Sequence, residues 1–304
     1  MDVTQQKQIP TENKIENTDE RPHRKKIKIS LYGKVIGIYA AIIVILNLLC
    51  KSKAFCDFYD DNLFRYISQP YCRLTGLFPF SVGEILIPIA MLIVITAIIT
   101  LILLPFKKKK AGFKKFSAKY LKSTLAFLLT VLFVMTLNCN ILYSTSKLNI
   151  NGNKGKKYTV DNIETLRNYV VEQCGELCGK MTRDENGYMV YSENLSEDIK
   201  TALNNLSDEF PRLGGYYPNA KPIIGSYFMY QANVIGVYFP FTMEANYNSY
   251  TSASYTPSVI AHELSHLKGY IYEDEANFIA YLACTKSDND TLKYSGYLSV
   301  FCYL

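Results

Sequence analysis

Two histidines and a glutamate stand together near the end of the chain, in Ala261-His262-Glu263-Leu264-Ser265-His266. Residues four apart on a helix lie on one face, one turn apart, so the imidazoles of His262 and His266 can reach a single metal ion. Glu263 projects into the same site without joining the ligands. From there its carboxylate can take a proton from water activated by the metal. The chain has only three histidines in 304 residues, so finding two of them here is informative. The plainer reading is an exposed helix that carries two His and one Glu by chance.

The spacing is the HExxH arrangement of zinc metalloproteases, with Zn²⁺ as the expected cofactor. A zinc hydrolase needs a third protein ligand and an open fourth position for water. Downstream runs Glu273-Asp274-Glu275-Ala276-Asn277. Its Glu-x-x-Ala-Asn pattern resembles the second metal-binding helix of the gluzincin peptidases. That resemblance implies Glu273 as the third ligand and Asn277 as the residue that orients a ligand histidine. Glu275 is the rival ligand, two residues away on a different face. Glu273 could also simply be an acidic first-turn residue favoured by the helix dipole. The gap from His266 to Glu273 is short for a gluzincin. Gly269 between the two motifs suits the residue that ends one helix and turns the chain back.

The elements that position these residues follow from patterning. Thr256-Pro257 reads as N-cap and first residue of the histidine helix. A second helix runs from about Tyr272 to Cys284, with one buried face. Asn233 to Phe239 looks like a strand. It could be an edge that pairs with an extended peptide, or part of an ordinary small sheet. Helices are expected over Val160–Lys180 and Ser196–Phe210, with a possible short strand at Tyr188–Tyr191. Residues 144–156 read as a linker.

Ahead of this region the chain is patterned for a bilayer. Residues 1–30 form a polar, then basic, tail expected to be disordered and cytoplasmic. Three uncharged runs follow within 31–143: Val35–Cys50, extended by Leu31 and Tyr32 with Lys34 snorkelling, Ile85–Phe106 with Pro88 in its first turn, and Ser123 to about Tyr143. The first resembles a signal peptide in its basic flank, but no clean cleavage site follows and it reads as a retained helix. Lysines crowd the 107–122 loop, and the first run is also preceded by basic residues. The positive-inside rule places both on the cytoplasmic side, with loop 51–84 and residues 144–304 on the other. The aromatic 51–84 loop could lie along the membrane interface or pack on the C-terminal region. Polar residues 242–258 and Lys268 argue against a site inside the bilayer.

The net charge of +6 comes from clustered Lys and Arg, so nucleic acid is not an expected partner. The expected partners are the lipid bilayer and a peptide or protein substrate. Cys50 and Cys139 fall in the apolar runs; the other six of the eight cysteines could form bridges on the exported side. The fold expected is a three-helix α-helical membrane anchor plus an α+β zincin-like domain. The alternative is a non-catalytic scaffold or sensor with a structural zinc site, in which a fourth protein ligand would close the coordination sphere.

Several stretches together resemble a bacterial membrane-protein family catalogued as domain of unknown function 3810. They are Phe78–Glu84, Gly215–Pro218, Tyr238–Asn246, the histidine motif with Glu273–Cys284, and Tyr294–Tyr297. The resemblance implies a multi-pass protein of the bacterial cell membrane but no substrate. It also implies a chain that continues further, so Leu298–Leu304 reads as the middle of an apolar helix.

Overall fold

The computed structural model describes residues 30–107, 110–148 and 157–304. The expected tail up to residue 29 and the linker residues 149–156 lie outside them.

Among the described residues, three helices are long and apolar enough to cross a membrane: α1 (Leu31–Leu49), α4 (Val82–Lys107) and α5 (Ala111–Met135), the last continued by a π turn to Asn140. Ser30 caps α1 by accepting a hydrogen bond from the Gly33 N–H at 3.1 Å, so the helix begins at Leu31, where the expected extension begins. The other two differ from their expected spans. α4 starts at Val82, so Pro88 lies beyond the first turn. Most of residues 107–122 is not a loop: α5 begins at Ala111, and Lys114, Lys115, Lys119 and Lys122 ride on its first turns. Asn47 donates to Thr136 Oγ1 at 2.8 Å and accepts from Asn140 at 3.0 Å, tying α1 to the end of α5. Side-chain amides make such ties where neither lipid nor water competes.

Between α1 and α4 the chain folds into α2 (Lys53–Tyr59), a π turn and α3 (Arg65–Thr75). This resolves the choice left open for the 51–84 stretch. Cys56, Tyr59, Phe64 and Cys72 are buried in the same core as Ile199, Leu203, Leu213, Leu264 and Ile279. The core therefore crosses the boundary expected at residue 143, and the C-terminal region is built partly from residues ahead of α4.

The rest is mostly helical with a small mixed sheet. α6 (Val160–Cys178) opens on a Thr159/Asn162 capping box and is followed by α7 (Leu195–Asn204). At 188–191 there is only an isolated bridge between Arg183 and Met189. Strand β1 (Lys221–Pro222), helix α8 (Ser226–Gln231) and strands β2 (Gly236–Phe239) and β3 (Glu244–Tyr247) come next. The sheet order is β1-β3-β2, with β1 parallel and β2 antiparallel to β3. The expected strand from 233 is shorter because Asn233 takes a positive φ of 55°. Helices α9 (Thr256–His266), α10 (Glu273–Thr285) and α11 (Asp290–Ser299) complete the fold. Tyr255, not Thr256, is the N-cap of α9; the Thr256 hydroxyl bonds instead to Ser252 O at 3.2 Å. The apolar end does not extend α11, which stops at Ser299 before a 3₁₀ turn over Phe301–Tyr303. All eight cysteines are free.

Candidate metal centre

α9 is buried along nearly its whole length, which fixes the direction of its few outward side chains. One face packs on β2 and β3, another on α10 and α11. Close approach is arranged by small residues: Gly296 of α11 lies where a Cβ would press on Cys284 of α10. After His266 the chain turns back through Gly269, at φ 89°. A side chain there is barred twice, by that backbone conformation and by Asp60, which occupies the space a Cβ would need. The expected turn glycine is thus also the point where the stretch before α4 presses on the turn between α9 and α10.

The turn brings the first residue of α10 back over α9. His262 Nε2 lies 3.0 Å from His266 Nε2 and 3.1 Å from Glu273 Oε2, and His266 Nε2 lies 3.7 Å from Glu273 Oε1. One ligand atom from each residue falls within 4.8 Å of the others. Ligand atoms about 2.0–2.1 Å from a tetrahedral ion stand about 3.3 Å apart, so these separations fit a zinc ion. Among the described residues no fourth His, Cys, Asp or Glu joins the cluster.

The imidazoles are prepared for the same task. His266 Nδ1 faces the Tyr270 carbonyl at 2.8 Å and must donate its proton there, which leaves Nε2 with a free lone pair. Burial, and then the neighbouring His262, pull the His266 pKa down to about 4, so the ring is neutral. Burial also works against a charged His262, but its contact with Glu273 and the nearby Glu263 and Asn277 outweigh that and raise its pKa. Glu273 is exposed and its pKa is lowered, chiefly by His262. Asn277 sits one helical turn after Glu273, lines the same cleft, and donates to the Tyr303 hydroxyl at 3.3 Å. Glu275 is not brought to the site: it is buried on the far side, accepting from the Leu148 N–H at 2.5 Å.

Glu263 is buried, and its Oε2 has no hydrogen-bond partner. Burial raises its pKa to about 8, against the pull of His262. Beside it lies Gly236, the first residue of β2; a Cβ there would overlap the Glu263 carboxylate. β2 is an edge strand, so its outer side is not paired within the sheet. Ile235, Gly236, Tyr255 and Val259 line a cleft of about 280 Å³ with His262, Glu263 and Glu273. Sequence reasoning missed Gly236: its meaning depends on a contact with a residue far along the chain. A larger cavity of about 410 Å³ lies beyond the Gly269 turn, lined by Asp60, Arg212 and Lys268. Arg212 is paired with Asp60 and stacks on Tyr270, and neither histidine lines that cavity.

The start of α10 is also tied to the end of the third apolar helix. Tyr272, its N-cap, donates to Tyr143 O at 2.7 Å and packs edge-on against the Tyr143 ring.

A helical region with a small sheet, carrying two histidines and two glutamates in one cleft and joined to three apolar helices, is the class this chain defines. It belongs to the family described as protein of unknown function (DUF3810), whose model matches residues 59–304. No curated protein and no solved structure matches the chain.

Proposed function

We propose that this protein is a membrane-anchored, zinc-dependent metallopeptidase that cleaves peptide bonds outside the cytoplasm. The observation that carries the reading is the convergence of His262, His266 and Glu273 next to the partnerless, buried carboxylate of Glu263. His262, His266 and Glu273 would hold the ion, and Asn277 would steady His262. A zinc ion supplies Lewis acidity: it makes water acidic near neutral pH and polarises a carbonyl. Glu263 takes the proton of the attacking water and delivers it to the leaving nitrogen. Its buried oxygen without a partner is free to take up that proton. Edge strand β2 beside the HExxH helix is the arrangement expected of a zincin-like fold, and an extended peptide can add to such an edge. Tyr255 and Tyr303 are the tyrosines lining the cleft, and either could face a developing oxyanion.

Lys107, Lys110, Lys114, Lys115, Lys119 and Lys122 support the orientation. They lie at the end of α4 and α5 opposite the folded region, which meets Val82 and Asn138 at the other end. By the positive-inside rule the lysine end faces the cytoplasm.

The test is elemental analysis of the purified full chain beside a His262→Ala, His266→Ala double variant, followed by peptidase assays of Glu263→Gln. Zinc bound stoichiometrically by the wild type and lost in the double variant, with activity lost but zinc kept in Glu263→Gln, is the expected result. A wild type without metal, or a fully active Glu263→Gln, overturns the reading.

A further inference from the structure

The surface between Ile224 and Ile235 has no part in the chemistry above, yet it is unusually apolar. Ile224 is 80% exposed and Phe228 77% exposed, with Tyr227, Tyr230 and Ile235 also open to the outside. No charged residue occurs from Pro222 to Met243. An exposed aromatic face of this kind is kept for a partner. Its location says which one. Glu84, in the first turn of α4, accepts hydrogen bonds from the Ile224 N–H at 2.9 Å and the Gly225 N–H at 2.5 Å. The uncharged run of α4 begins at the next residue, Ile85. Exposed Leu77 and Phe78 stand at the same end of α4, in the turn leading into it.

We propose that the 224–235 segment rests in the interface of the bilayer that α4 crosses, with Phe228, Tyr227 and Ile224 among the headgroups. Mixed Tyr and Phe without charge suit that layer, where a ring sits in apolar surroundings and a hydroxyl meets water. The segment ends at Ile235 and Gly236, the lip of the cleft beside Glu263. The cleft therefore opens at the membrane surface, and the polypeptides it meets first are those tethered to or emerging from the bilayer. The proposal rests on α1, α4 and α5 spanning the membrane, and its substrate class rests on the peptidase reading.

The chain contains no tryptophan, so one introduced indole reports alone. Phe228→Trp, Ile235→Trp and Leu92→Trp are each prepared in the full chain and reconstituted in phosphatidylcholine vesicles. Emission is read with acyl-brominated lipid and, separately, with acrylamide in the water. Leu92 is exposed midway along α4, so its variant is strongly quenched by brominated lipid if α4 spans; failure there sinks the membrane reading itself. Given that control, the expected result is blue-shifted Phe228→Trp emission, quenched by brominated lipid and shielded from acrylamide, with Ile235→Trp reached by both quenchers. A Phe228→Trp signal quenched by acrylamide and untouched by brominated lipid overturns the proposal. Insensitivity to both quenchers overturns it too, since protein would then cover the face.

Discussion

Two buried glutamates lie on either side of the sheet, and their surroundings are opposite. Glu244, at the start of β3, accepts from the Lys221 ammonium at 2.5 Å, the Thr242 hydroxyl at 2.6 Å, and the backbone N–H groups of Val82 and Gly83 at 3.0 and 2.8 Å. Glu263, on α9, has an oxygen with no partner at all. A buried carboxylate is tolerated when donors surround it, and is strongly disfavoured as an anion when they do not. Glu244 is thus a structural joint: it caps the N-terminus of α4, favourably placed against that helix dipole, and neutralises a buried lysine. Glu263 is held in an unfavourable state that only a proton, a metal-activated water or a substrate can relieve. Burial alone therefore does not set the two carboxylates apart; their hydrogen-bond partners do.

The comparison can be broken in four ways. The largest effect is expected for Glu263→Gln, which keeps shape and removes the base: peptidase activity should fall by about 10²–10⁴-fold with thermal stability preserved or raised. A variant that unfolds instead would make Glu263 a second structural joint. Next, Glu244→Ala strands the Lys221 ammonium in the core and should destabilise the fold by about 3–5 kcal/mol, read by thermal or chemical unfolding in detergent. Loss of activity in a fully stable Glu244→Ala protein would move that residue to the chemical side. Gly269→Ala tests the turn that brings Glu273 over the histidines. It should cost about 1–3 kcal/mol through the positive φ, with weakened zinc retention alongside.

The last test sharpens the contrast by pH. The Glu263 carboxyl is raised from 4.5 to about 8 on folding, so the folded state binds its proton more tightly than the unfolded one. Its contribution is fully present below pH 4.5 and is lost as pH rises through about 8. Metal-free wild type should lose stability over that window, and Glu263→Gln should lose less of it. Matching slopes in the two proteins would show that Glu263 is not the group responsible.

How much of this was legible in the chain follows from how far apart the interacting residues are. The histidine face and the Gly269 turn are local, and a period of four residues and one glycine suffice to read them; Glu273 rests on the resemblance of Glu-x-x-Ala-Asn to the gluzincin helix, with Glu275 as its rival. The three apolar helices are legible for the same reason. What could not be read are contacts across the chain. Glu244 reaches Val82 over a separation of 162 residues, and nothing in either segment names the other. Yet Phe78–Glu84 and Tyr238–Asn246, which carry the family resemblance, turn out to touch: Gly83 packs so closely on Phe239 that a Cβ would overlap its ring. The 51–84 stretch leaves two placements open in the sequence because its helices are short and bury their faces against residues far along the chain, as Cys72 does on Met243, 171 positions away. Glu275 differed from Glu273 in sequence only by face; the Leu148 N–H that engages it was not foreseeable.

The joint at Glu244 has a mechanical consequence. α4 does not enter the folded region through a flexible connector; its first backbone amides are gripped by the sheet whose opposite edge borders Glu263. A helix whose apolar length mismatches the hydrocarbon around it adjusts by tilting. Here a tilt of α4 would be carried into β3 as a rotation of the sheet, and the spacing between Gly236 and Glu263 leaves no slack to absorb it.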